Sequence, residues 1–256
     1  MCRILACATS APTTLEQVLG ESNLAAFAAL SSLHADGWGS AVAQGAHIET
    51  QSEPTSAKSS TRFAQMAHVE AADVHLVHLR WATPGLEVSD VNTHPFTHGD
   101  IAFVHNGSIT PPSAAESLIS PEFLSEIKGQ TDSERFFYAI LTSLEGREPT
   151  VENLIDAFSR TLTTITSSLT YSSLNSVLLT PEYFIVGCCF DETGDGAMPE
   201  PDYFHLRYRI EPGSVVVAST GWGADWQTLP NRHLLVVDRG TLATRIQPLA
   251  VSTSTA

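Results

Sequence analysis

Basic residues are scarce in this sequence: 13 Lys and Arg stand against 28 Asp and Glu in 256 residues, which gives a formal net charge of -15 at pH 7. Charged residues make up 16% of the chain, compared with about 25% in an average domain, so the acidity reflects a shortage of bases. Nucleic-acid binding depends on clustered Lys and Arg that neutralise phosphates, and we therefore expect no nucleic-acid partner. With 43% hydrophobic residues, the chain is predicted to fold around a substantial core rather than to be disordered.

Cysteines and long apolar runs are also few. Four cysteines do not make a disulfide framework, and we interpret Cys7, Cys188 and Cys189 as buried, inert thiols. So few cysteines are typical of a cytoplasmic protein, and because no apolar run approaches the ~20 residues of a membrane span, we expect no membrane partner. The ten histidines include no zinc-enzyme signature such as His-Glu-x-x-His, and we expect neither a metal site nor another cofactor.

No repeat, linker or charge run marks a domain boundary, which predicts one domain over residues 1–250 and a disordered tail at 251–256. Several predicted strands are apolar on both faces, so we expect an α+β fold with two sheets between layers of helices, although periodicity alone does not exclude other α+β folds. The apolar patterns predict helices at 23–33, 132–144 and 151–171, a hairpin at 40–50, and strands at 2–8, 74–81, 100–104, 175–179, 183–190, 203–208, 214–219, 233–238 and 242–248.

The second residue is a cysteine, which becomes the amino terminus when the initiator Met1 is removed. A cysteine in that position carries a thiol nucleophile and an α-amine whose pKa of ~7.7–8.0 suits it as a base near neutral pH. Cys2 then supplies both the nucleophile and the base. Taken alone, however, a small residue at position 2 is better explained by translation or packing.

Two apolar strands end in polar groups suited to a substrate. The first, predicted at 74–81, carries Arg80 at its end, before a Pro-Gly break. A guanidinium at a strand end is a bidentate clamp for a carboxylate; the alternative is a surface ion pair. The second ends in Asn106 and Gly107, where a side-chain amide is followed by an unobstructed backbone N–H. Two successive donors suit an oxyanion hole, although Asn-Gly is also the commonest hairpin turn.

A third segment, Thr131-Asp132-Ser133-Glu134, has the Thr-x-x-Glu form of a capping box and is predicted to begin a helix. Asp132, in the first turn, either interacts with the helix dipole alone or binds an ammonium group. Together the three segments and the amino terminus offer a thiol, an amine base, a carboxylate clamp, two oxyanion donors and an ammonium acceptor. These groups suffice to hold a free α-amino acid by its head and to attack a carbonyl on its side chain.

Taken together, these residues resemble the class II glutamine amidotransferases, which are N-terminal-nucleophile hydrolases. The resemblance implies a four-layer αββα sandwich of the N-terminal-nucleophile hydrolase type. The motifs that carry the resemblance follow in the family's order and are Cys2, Arg80-Trp81-Ala82-Thr83, Asn92-x-His94-Pro95, His105-Asn106-Gly107 and Thr131-Asp132-Ser133-Glu134.

The resemblance also implies a role for each matched residue. Cys2 is expected to be the nucleophile, and Asn106 and Gly107 are expected to form the oxyanion hole. Arg80 and Asp132 are expected to hold the α-carboxylate and the α-ammonium group of glutamine. The substrate-binding residues are further expected to include Trp81, Thr83 and His105.

Two departures from the synthase members of the family narrow the expected activity. Pro84 stands where glucosamine-6-phosphate synthase has a His, and no acceptor domain follows the last predicted strand, so we expect the chain to act alone or with a separate partner. Segments 1–5, 34–39 and 82–85 are similar to the stand-alone branch, which contains the γ-glutamyl hydrolase of ergothioneine biosynthesis. We therefore expect a hydrolase of glutamine or a small γ-glutamyl compound, with γ-glutamyl hercynylcysteine sulfoxide as the leading candidate, and leave homo-oligomer formation open.

Two other functions fit the same residues. A glutaminase subunit would pass ammonia to a separate synthase, and a sensor would bind glutamine without hydrolysing it, although a sensor does not need the Cys2 thiol. Some further features are open between a role at the site and a role in packing. They are His94, the segment 36–39, Trp222 and Trp226.

Overall fold

The computed structural model describes residues 2–83, 85–194, 196–198 and 202–249. Met1, Pro84 and the predicted tail at 251–256 lie outside these residues. The α-helices of the described chain are α1 (Leu15–Leu19), α2 (Glu21–Leu30), α3 (Thr61–Val69), α4 (Pro121–Leu124), α5 (Asp132–Ser143) and α6 (Val151–Ser168). Its strands are β1 (Arg3–Thr13), β2 (Trp38–Gln44), β3 (His47–Glu53), β4 (Ala72–Leu79), β5 (Phe96–His98), β6 (Ile101–Thr110), β7 (Thr170–Leu179), β8 (Tyr183–Cys188), β9 (Arg207–Glu211), β10 (Ser214–Ala218), β11 (Gln227–Thr228), β12 (His233–Asp238) and β13 (Thr244–Pro248).

The strands form two antiparallel sheets. The first sheet has the order β11-β9-β10-β1-β4-β2-β3, and the second has the order β13-β12-β8-β7-β6-β5. One apolar cluster, which includes Ile4 and Val177, fills the space between the sheets. A second cluster joins the second sheet to α5 and α6, and a third covers the outer face of the first sheet beneath α1, α2 and α3. This order of layers confirms the predicted α+β fold and its four-layer αββα arrangement.

Strand β6 continues past the end that the apolar pattern predicts. The pattern ends the strand at Val104 and leaves Asn106 and Gly107 beyond it, yet in the structure Asn106 pairs with Asn175 and Gly107 with Leu174 of β7. Both the predicted strand end and the hairpin-turn interpretation are therefore wrong. Pairing along the whole length of β7 decides the conformation, because strand preference depends more on cross-strand neighbours than on the local residue type.

Helices α1 and α3 are absent from the predicted elements, although each begins with a side-chain cap. The hydroxyl of Thr14 accepts the Gln17 N–H at 3.2 Å, and that of Ser60 accepts the Phe63 N–H at 3.0 Å. Helix α1 is five residues long, too short for an apolar period to reveal it. The strand predicted at 203–208 is also misplaced and begins at Arg207, because residues 202–204 form a turn.

One end of the layered structure brings the predicted site residues together. Cys2 precedes β1 and Arg80 follows β4, and these two strands pair directly. Ile4 faces the space between the sheets, and because side chains alternate along a strand, Cys2 shares that face. Helix α5 packs on the second sheet and begins at Asp132. The nucleophile, the arginine and the aspartate thus come from three separate elements.

The three cysteines other than Cys2 are buried, and the described residues contain no membrane-spanning helix and no metal-binding cluster. Cys7, Cys188 and Cys189 are fully buried, and burial raises the pKa of each thiol to about 12. The structure confirms that these thiols are buried, and their raised pKa values agree with the prediction that they are inert. None of the described helices is long and apolar enough to cross a membrane. Within the same residues, no group of three or more His, Cys, Asp or Glu side chains is arranged to hold a metal ion.

Candidate active site

A pocket of about 310 Å³ opens where the starts of β1 and α5 meet the end of β4 and one face of β6. Asn106, one of the eight predicted site residues, lies on β6 next to the pocket but does not line it. Its side chain shares the inter-sheet face with Ala102 and Val104, which is also the face of Cys2. Seven of the eight predicted site residues line the pocket, and they are Cys2, Arg80, Trp81, Thr83, His105, Gly107 and Asp132.

The Cys2 thiol lies against the backbone of the residue that follows Arg80. Its Sγ accepts the Trp81 N–H at 3.4 Å and lies 3.7 Å from the Trp81 carbonyl oxygen. Burial raises the pKa of the thiol, while the Trp81 backbone and the charge of Arg80 act in the opposite direction. Since burial is the largest effect, the resting group is a neutral thiol, and its use as a nucleophile requires a base.

Arg80 is a buried cation held by uncharged groups. Its side chain is 3% exposed, and it donates from Nη1 to the Asp36 carbonyl oxygen at 3.3 Å and from Nη2 to the Glu87 carbonyl oxygen at 3.1 Å. The ion pairs among the described residues do not include Arg80, although burial, which lowers its pKa, is opposed by the nearby charge of Asp36. A buried charge is costly without a partner of opposite sign, so this guanidinium is suited to a carboxylate that enters the pocket.

Asp132 is fixed by two backbone donors at the first turn of α5. Its Oδ2 accepts the Ile109 N–H at 2.6 Å and its Oδ1 accepts the Ser133 N–H at 2.9 Å. Each carboxylate oxygen can accept a second hydrogen bond, and Asp132 lines the pocket. The side chain therefore interacts with more than the helix dipole and keeps capacity for an ammonium group.

The predicted capping box of α5 is half formed. Thr131 caps the helix, because its hydroxyl accepts the Glu134 N–H at 3.1 Å. The Glu134 carboxylate accepts instead from the Lys128 N–H at 2.9 Å and the Gly129 N–H at 2.7 Å. The reciprocal bond back to Thr131 is replaced, and Glu134 holds the loop that leads into the helix.

Asn106 and Gly107 occupy a tightly packed part of β6. The Asn106 side chain is fully buried, and neither its amide nitrogen nor its amide oxygen has a hydrogen-bond partner among the described residues. A Cβ at position 107 would collide with the backbone carbonyl of Ser173 on β7. Glycine is therefore required at 107 for the strands to approach each other, and its N–H stays unobstructed by a side chain.

His105 is held by the protein at both ring nitrogens. Nε2 lies 2.9 Å from the Ser173 carbonyl oxygen, and Nδ1 lies 2.9 Å from the Ser133 hydroxyl oxygen. Because a carbonyl only accepts, Nε2 carries the proton and Nδ1 accepts from Ser133. Burial lowers the pKa of His105, against the opposing effect of Asp132. His105 lines the pocket, but its neutral ring has the geometry of a support for the wall.

Four buried histidines make the stability of the fold sensitive to acid. Burial lowers the pKa of His78 to about 3 and lowers the pKa values of His75, His94 and His105 below their ordinary value. In the unfolded chain each imidazole takes up a proton near pH 6.5, so below that pH the unfolded state binds more protons than the folded state. The stability contributed by neutral burial is complete above pH 6.5 and is lost as the pH falls towards 3.

We therefore expect the free energy of unfolding to fall by up to about 1.4 kcal/mol per pH unit for each of these histidines below pH 6.5. Urea unfolding at a series of pH values between 8 and 4.5 measures the slope. A free energy of unfolding that stays constant through this range would contradict the neutral state of the four rings.

Segment 36–39 supports the loop after β4. The Asp36 carboxylate accepts the Ala82 N–H at 2.8 Å, and the Gly37 carbonyl accepts the Arg80 N–H at 2.8 Å. The segment does not line the pocket among the described residues. Segment 36–39 thus supports the loop that begins at Arg80, which we call the arginine loop, from the side away from the pocket.

Trp222 and Trp226 belong to packing on the outer face of the first sheet. Their ring centroids are 6.1 Å apart, and the Trp222 ring meets Phe27 edge-on at 5.9 Å. Both side chains pack against the apolar cluster beneath α1, α2 and α3. Of the two interpretations left open by the sequence, packing is therefore the correct one.

Asn92 and Ser133 have pocket roles that their residue types alone do not reveal. Asn92 donates to the Glu87 carbonyl at 3.1 Å and accepts the Gln130 N–H at 2.8 Å, so it joins the arginine loop to the segment before α5. Ser133 orients His105. Both lie within motifs noted in the sequence, but the motifs do not specify these partners.

Comparison with known proteins relates this geometry to a family. Residues 1–190 match the family described as glutamine amidotransferases class-II. The putative glutamine amidotransferase YafJ of Escherichia coli is 26% identical over 195 residues, which cover 74% of this chain and 73% of that protein. The probable glutamine amidotransferase DUG3 of Saccharomyces cerevisiae is 33% identical over 95 residues, which cover 36% of this chain and 26% of the yeast protein. The match thus spans about a quarter of the length of that relative.

Solved structures share the fold. The glutamine aminotransferase class-II domain protein from Silicibacter pomeroyi has a TM-score of 0.65 at 19% identity, over 96% of this chain and 99% of that chain. A protein of Pseudomonas aeruginosa described as a predicted glutamine amidotransferase has a TM-score of 0.62 at 17% identity, over 95% of this chain and 100% of that chain. These likenesses establish the fold, and the match over residues 1–190 establishes membership. The chain belongs to the class II glutamine amidotransferase family.

Proposed function

We propose that this protein hydrolyses the side-chain amide of glutamine or of a small γ-glutamyl compound through a thioester on Cys2. The proposal is supported by three groups in one pocket, namely the Cys2 thiol, the Arg80 guanidinium and the Asp132 carboxylate. The position of the guanidinium is the observation that supports this function most strongly. A buried cation held by two carbonyl oxygens is matched by a substrate carboxylate, and glutamine and γ-glutamyl compounds carry one beside an ammonium group.

Binding by the head group orients the reacting bond. The α-carboxylate pairs with Arg80 through two parallel N–H donors, and the α-ammonium donates to Asp132. The γ-amide then extends towards Cys2. Fixing the substrate at both charged groups brings the γ-carbon into reach of the thiol and removes much of the entropic barrier to attack.

Acylation begins when the α-amine of Cys2, directly or through one water, takes the thiol proton. The thiolate attacks the γ-carbonyl carbon, and the carbonyl oxygen becomes an oxyanion that accepts from the Asn106 amide and the Gly107 N–H. The intermediate collapses to a thioester as the C–N bond breaks, and the leaving amine takes up the proton. Since burial raises the pKa of the thiol, this sequence depends on the base.

Deacylation uses the same groups, with water in place of the thiol as the attacking nucleophile. A water molecule gives a proton to the α-amine and attacks the thioester carbonyl, and the second oxyanion is held by the same two donors. When the C–S bond breaks, the Cys2 sulfur regains its proton and glutamate is released. The overall reaction consumes one water and produces glutamate and a free amine, or ammonia when the substrate is glutamine.

The proposed leaving group is a small amine, and γ-glutamyl hercynylcysteine sulfoxide is the specific substrate that we propose first. It is suggested by the similarity of segments 1–5, 34–39 and 82–85 to the stand-alone branch. The matched residues bind the glutamyl half and are indifferent to the amine. The leaving group therefore has to be identified by measurement.

A panel of γ-glutamyl amides tests the function directly. We expect the isolated chain to release glutamate from at least one γ-glutamyl amide, γ-glutamyl thiol conjugate or sulfoxide, and to lose at least tenfold in kcat/KM when the α-carboxylate of that substrate is converted to an amide. The matched analogue keeps the reacting bond and removes the charge opposite Arg80. Equal turnover of both compounds would contradict the proposed binding mode.

The same panel separates the alternative functions. Glutamine hydrolysis that is slow alone and rises sharply with a synthase would favour a glutaminase subunit that passes on ammonia. Calorimetry that shows glutamine binding without turnover would favour a sensor. Fast hydrolysis of a γ-glutamyl amine by the isolated chain would exclude both.

A further inference from the structure

We infer that His78 is a positioning residue that holds the oxyanion-hole segment of β6 against the strands that carry the nucleophile and the arginine. This inference rests on the proposed function, because it concerns the same reaction. His78 lies on β4, opposite Ile4 of β1 in the first sheet. Its Nε2 lies 3.1 Å from the carbonyl oxygen of His105 on β6 in the second sheet. The bond therefore spans the space between the two sheets.

The direction of this hydrogen bond is defined by its acceptor. A carbonyl oxygen only accepts, so Nε2 of His78 carries the proton and donates it. The ring is fully buried, and its Nδ1 has no partner among the described residues. Burial lowers the pKa of His78 to about 3. Near neutral pH the ring therefore keeps one proton, on Nε2.

The accepting carbonyl belongs to the peptide group that contains the Asn106 nitrogen. Strand β5 pairs with β6 only as far as Phe103. Beyond that residue β6 has a neighbouring strand on one side alone, which is β7, within the described part of the second sheet. The segment with Asn106 and Gly107 is thus an edge, and side chains must provide what a strand would otherwise provide.

Two side chains hold this edge, one on each side of the proposed oxyanion donors. His78 binds the carbonyl of His105, immediately before Asn106. Asp132 binds the N–H of Ile109, two residues after Gly107 and next to an irregularity in the ladder. One of the two supports is also the proposed acceptor of the substrate ammonium group. The other, His78, does not line the pocket among the described residues and is free to act as a support alone.

The His78 ring is itself held in place by His94. The two ring centroids are 4.0 Å apart, and His94 lines the pocket whereas His78 is not among its lining residues. A Cβ at Gly39 of β2 would collide with the His94 carbonyl, so the glycine lets this segment approach the first sheet. The contact with His94 and the bond to His105 together orient the His78 ring, with Nε2 directed at β6.

An oxyanion hole acts through donors that are fixed before the charge develops. Without the His78 N–H, the buried carbonyl of His105 loses its partner across the sheets, and the peptide that carries Asn106 gains freedom to rotate. Such a change weakens binding of the transition state more than binding of the substrate. We expect it to lower kcat while KM changes little.

Substitutions at His78 and a matched control at His75 test this inference. His75 lies on the same strand, is also fully buried, and its Nε2 lies 2.7 Å from the carbonyl oxygen of Thr13, away from the site. His78→Phe keeps a ring and removes the donor. His78→Gln places an amide nitrogen near the position of Nε2, whereas His78→Asn places its amide nitrogen short of the carbonyl.

We expect His78→Phe and His78→Asn to lower kcat at least tenfold, and His78→Gln and His75→Phe to retain kcat within threefold of the wild type. The Gln and Asn variants differ in reach rather than in polarity, so they decide the question even if the Phe variant does not fold. Adding His78→Phe to Asn106→Ala should cause little further loss, because both changes act on the same donor.

The outcomes separate this inference from the proposed function. A wild-type chain without γ-glutamyl hydrolase activity would contradict the proposed function itself. An active wild type whose His78→Phe and His78→Asn variants keep kcat within threefold would overturn the positioning role alone. Equal losses at His75 and His78 would also overturn it, since they would reflect general destabilisation.

Discussion

Replacing Cys2 by alanine is expected to lower turnover of γ-glutamyl amides by a factor on the order of 10³ or more, because the variant has no nucleophile. Binding should persist, since Arg80 and Asp132 remain in the pocket. Steady-state kinetics measure the first effect, and calorimetry with glutamine or the best γ-glutamyl amide measures the second. Alanine also permits removal of Met1, so the α-amine is kept and the change isolates the sulfur.

Cys7→Ala is the matched control for this experiment. Cys7 lies on β1, the strand that begins just after Cys2, but its thiol is buried in the apolar cluster beneath α1, α2 and α3. We expect this variant to lose some stability through the cavity that it leaves and to keep kcat and KM. A Cys2→Ala chain that hydrolyses γ-glutamyl amides at a rate near that of the wild type would contradict the thioester mechanism.

Arg80→Lys should lower kcat/KM about 10- to 100-fold. An ammonium group cannot reproduce the planar fork that binds a carboxylate bidentately, and hydrogen bonds to charged groups contribute about 1.5–3 kcal/mol each. The loss should be mainly in KM, because the α-carboxylate is bound in both the ground state and the transition state. Kinetics with the best γ-glutamyl amide measure it.

Arg239→Lys provides the control for a buried arginine away from the pocket. Arg239 is also buried and donates to the backbone carbonyls of Thr180, Pro181 and Gly45, and unlike Arg80 it also pairs with Asp73 at 3.4 Å. We expect this variant to lose stability without a change in KM. The Arg80→Lys loss should also shrink when the substrate carries an amide in place of its α-carboxylate. Equal losses with both substrates would place Arg80 outside the carboxylate site.

The net negative charge of the chain makes a buried arginine such as Arg80 more important for binding an anionic group. A protein with a net charge of -15 does not attract an anionic group through its overall field. In the proposed function, recognition of the substrate carboxylate therefore has to come from a local, buried cation. The geometry of Arg80 agrees with this requirement, because its hydrogen-bond acceptors are carbonyl oxygens and the Asp36 carboxylate acts on it only through its charge.

Much of the pocket could be predicted from the sequence, because its residues lie where strands end and where a helix begins. Arg80 lies just after β4, and Asp132 begins α5 as the Thr-x-x-Glu pattern predicts. Seven of the eight predicted residues line one pocket. The four-layer fold followed from strands that are apolar on both faces, together with the resemblance to a known family.

The features that sequence patterns missed depend on partners far away along the chain. The continuation of β6 through Asn106 depends on β7, and the bond from His78 to His105 crosses between sheets. Glu134 matched a capping box, yet its carboxylate binds the preceding loop. Periodicity reports the face on which a residue lies, but it does not report which distant group will reach that residue.

The central claim is that Cys2, as the mature amino terminus, carries the glutamyl group during turnover. Mass spectrometry of the intact wild-type chain, quenched in acid during hydrolysis of a γ-glutamyl amide, tests it most directly. The mechanism predicts a chain that lacks Met1 and carries one glutamyl group on Cys2, and a Cys2→Ala chain that carries none. An active chain that retains Met1, or a glutamyl group attached to another residue, would contradict the claim.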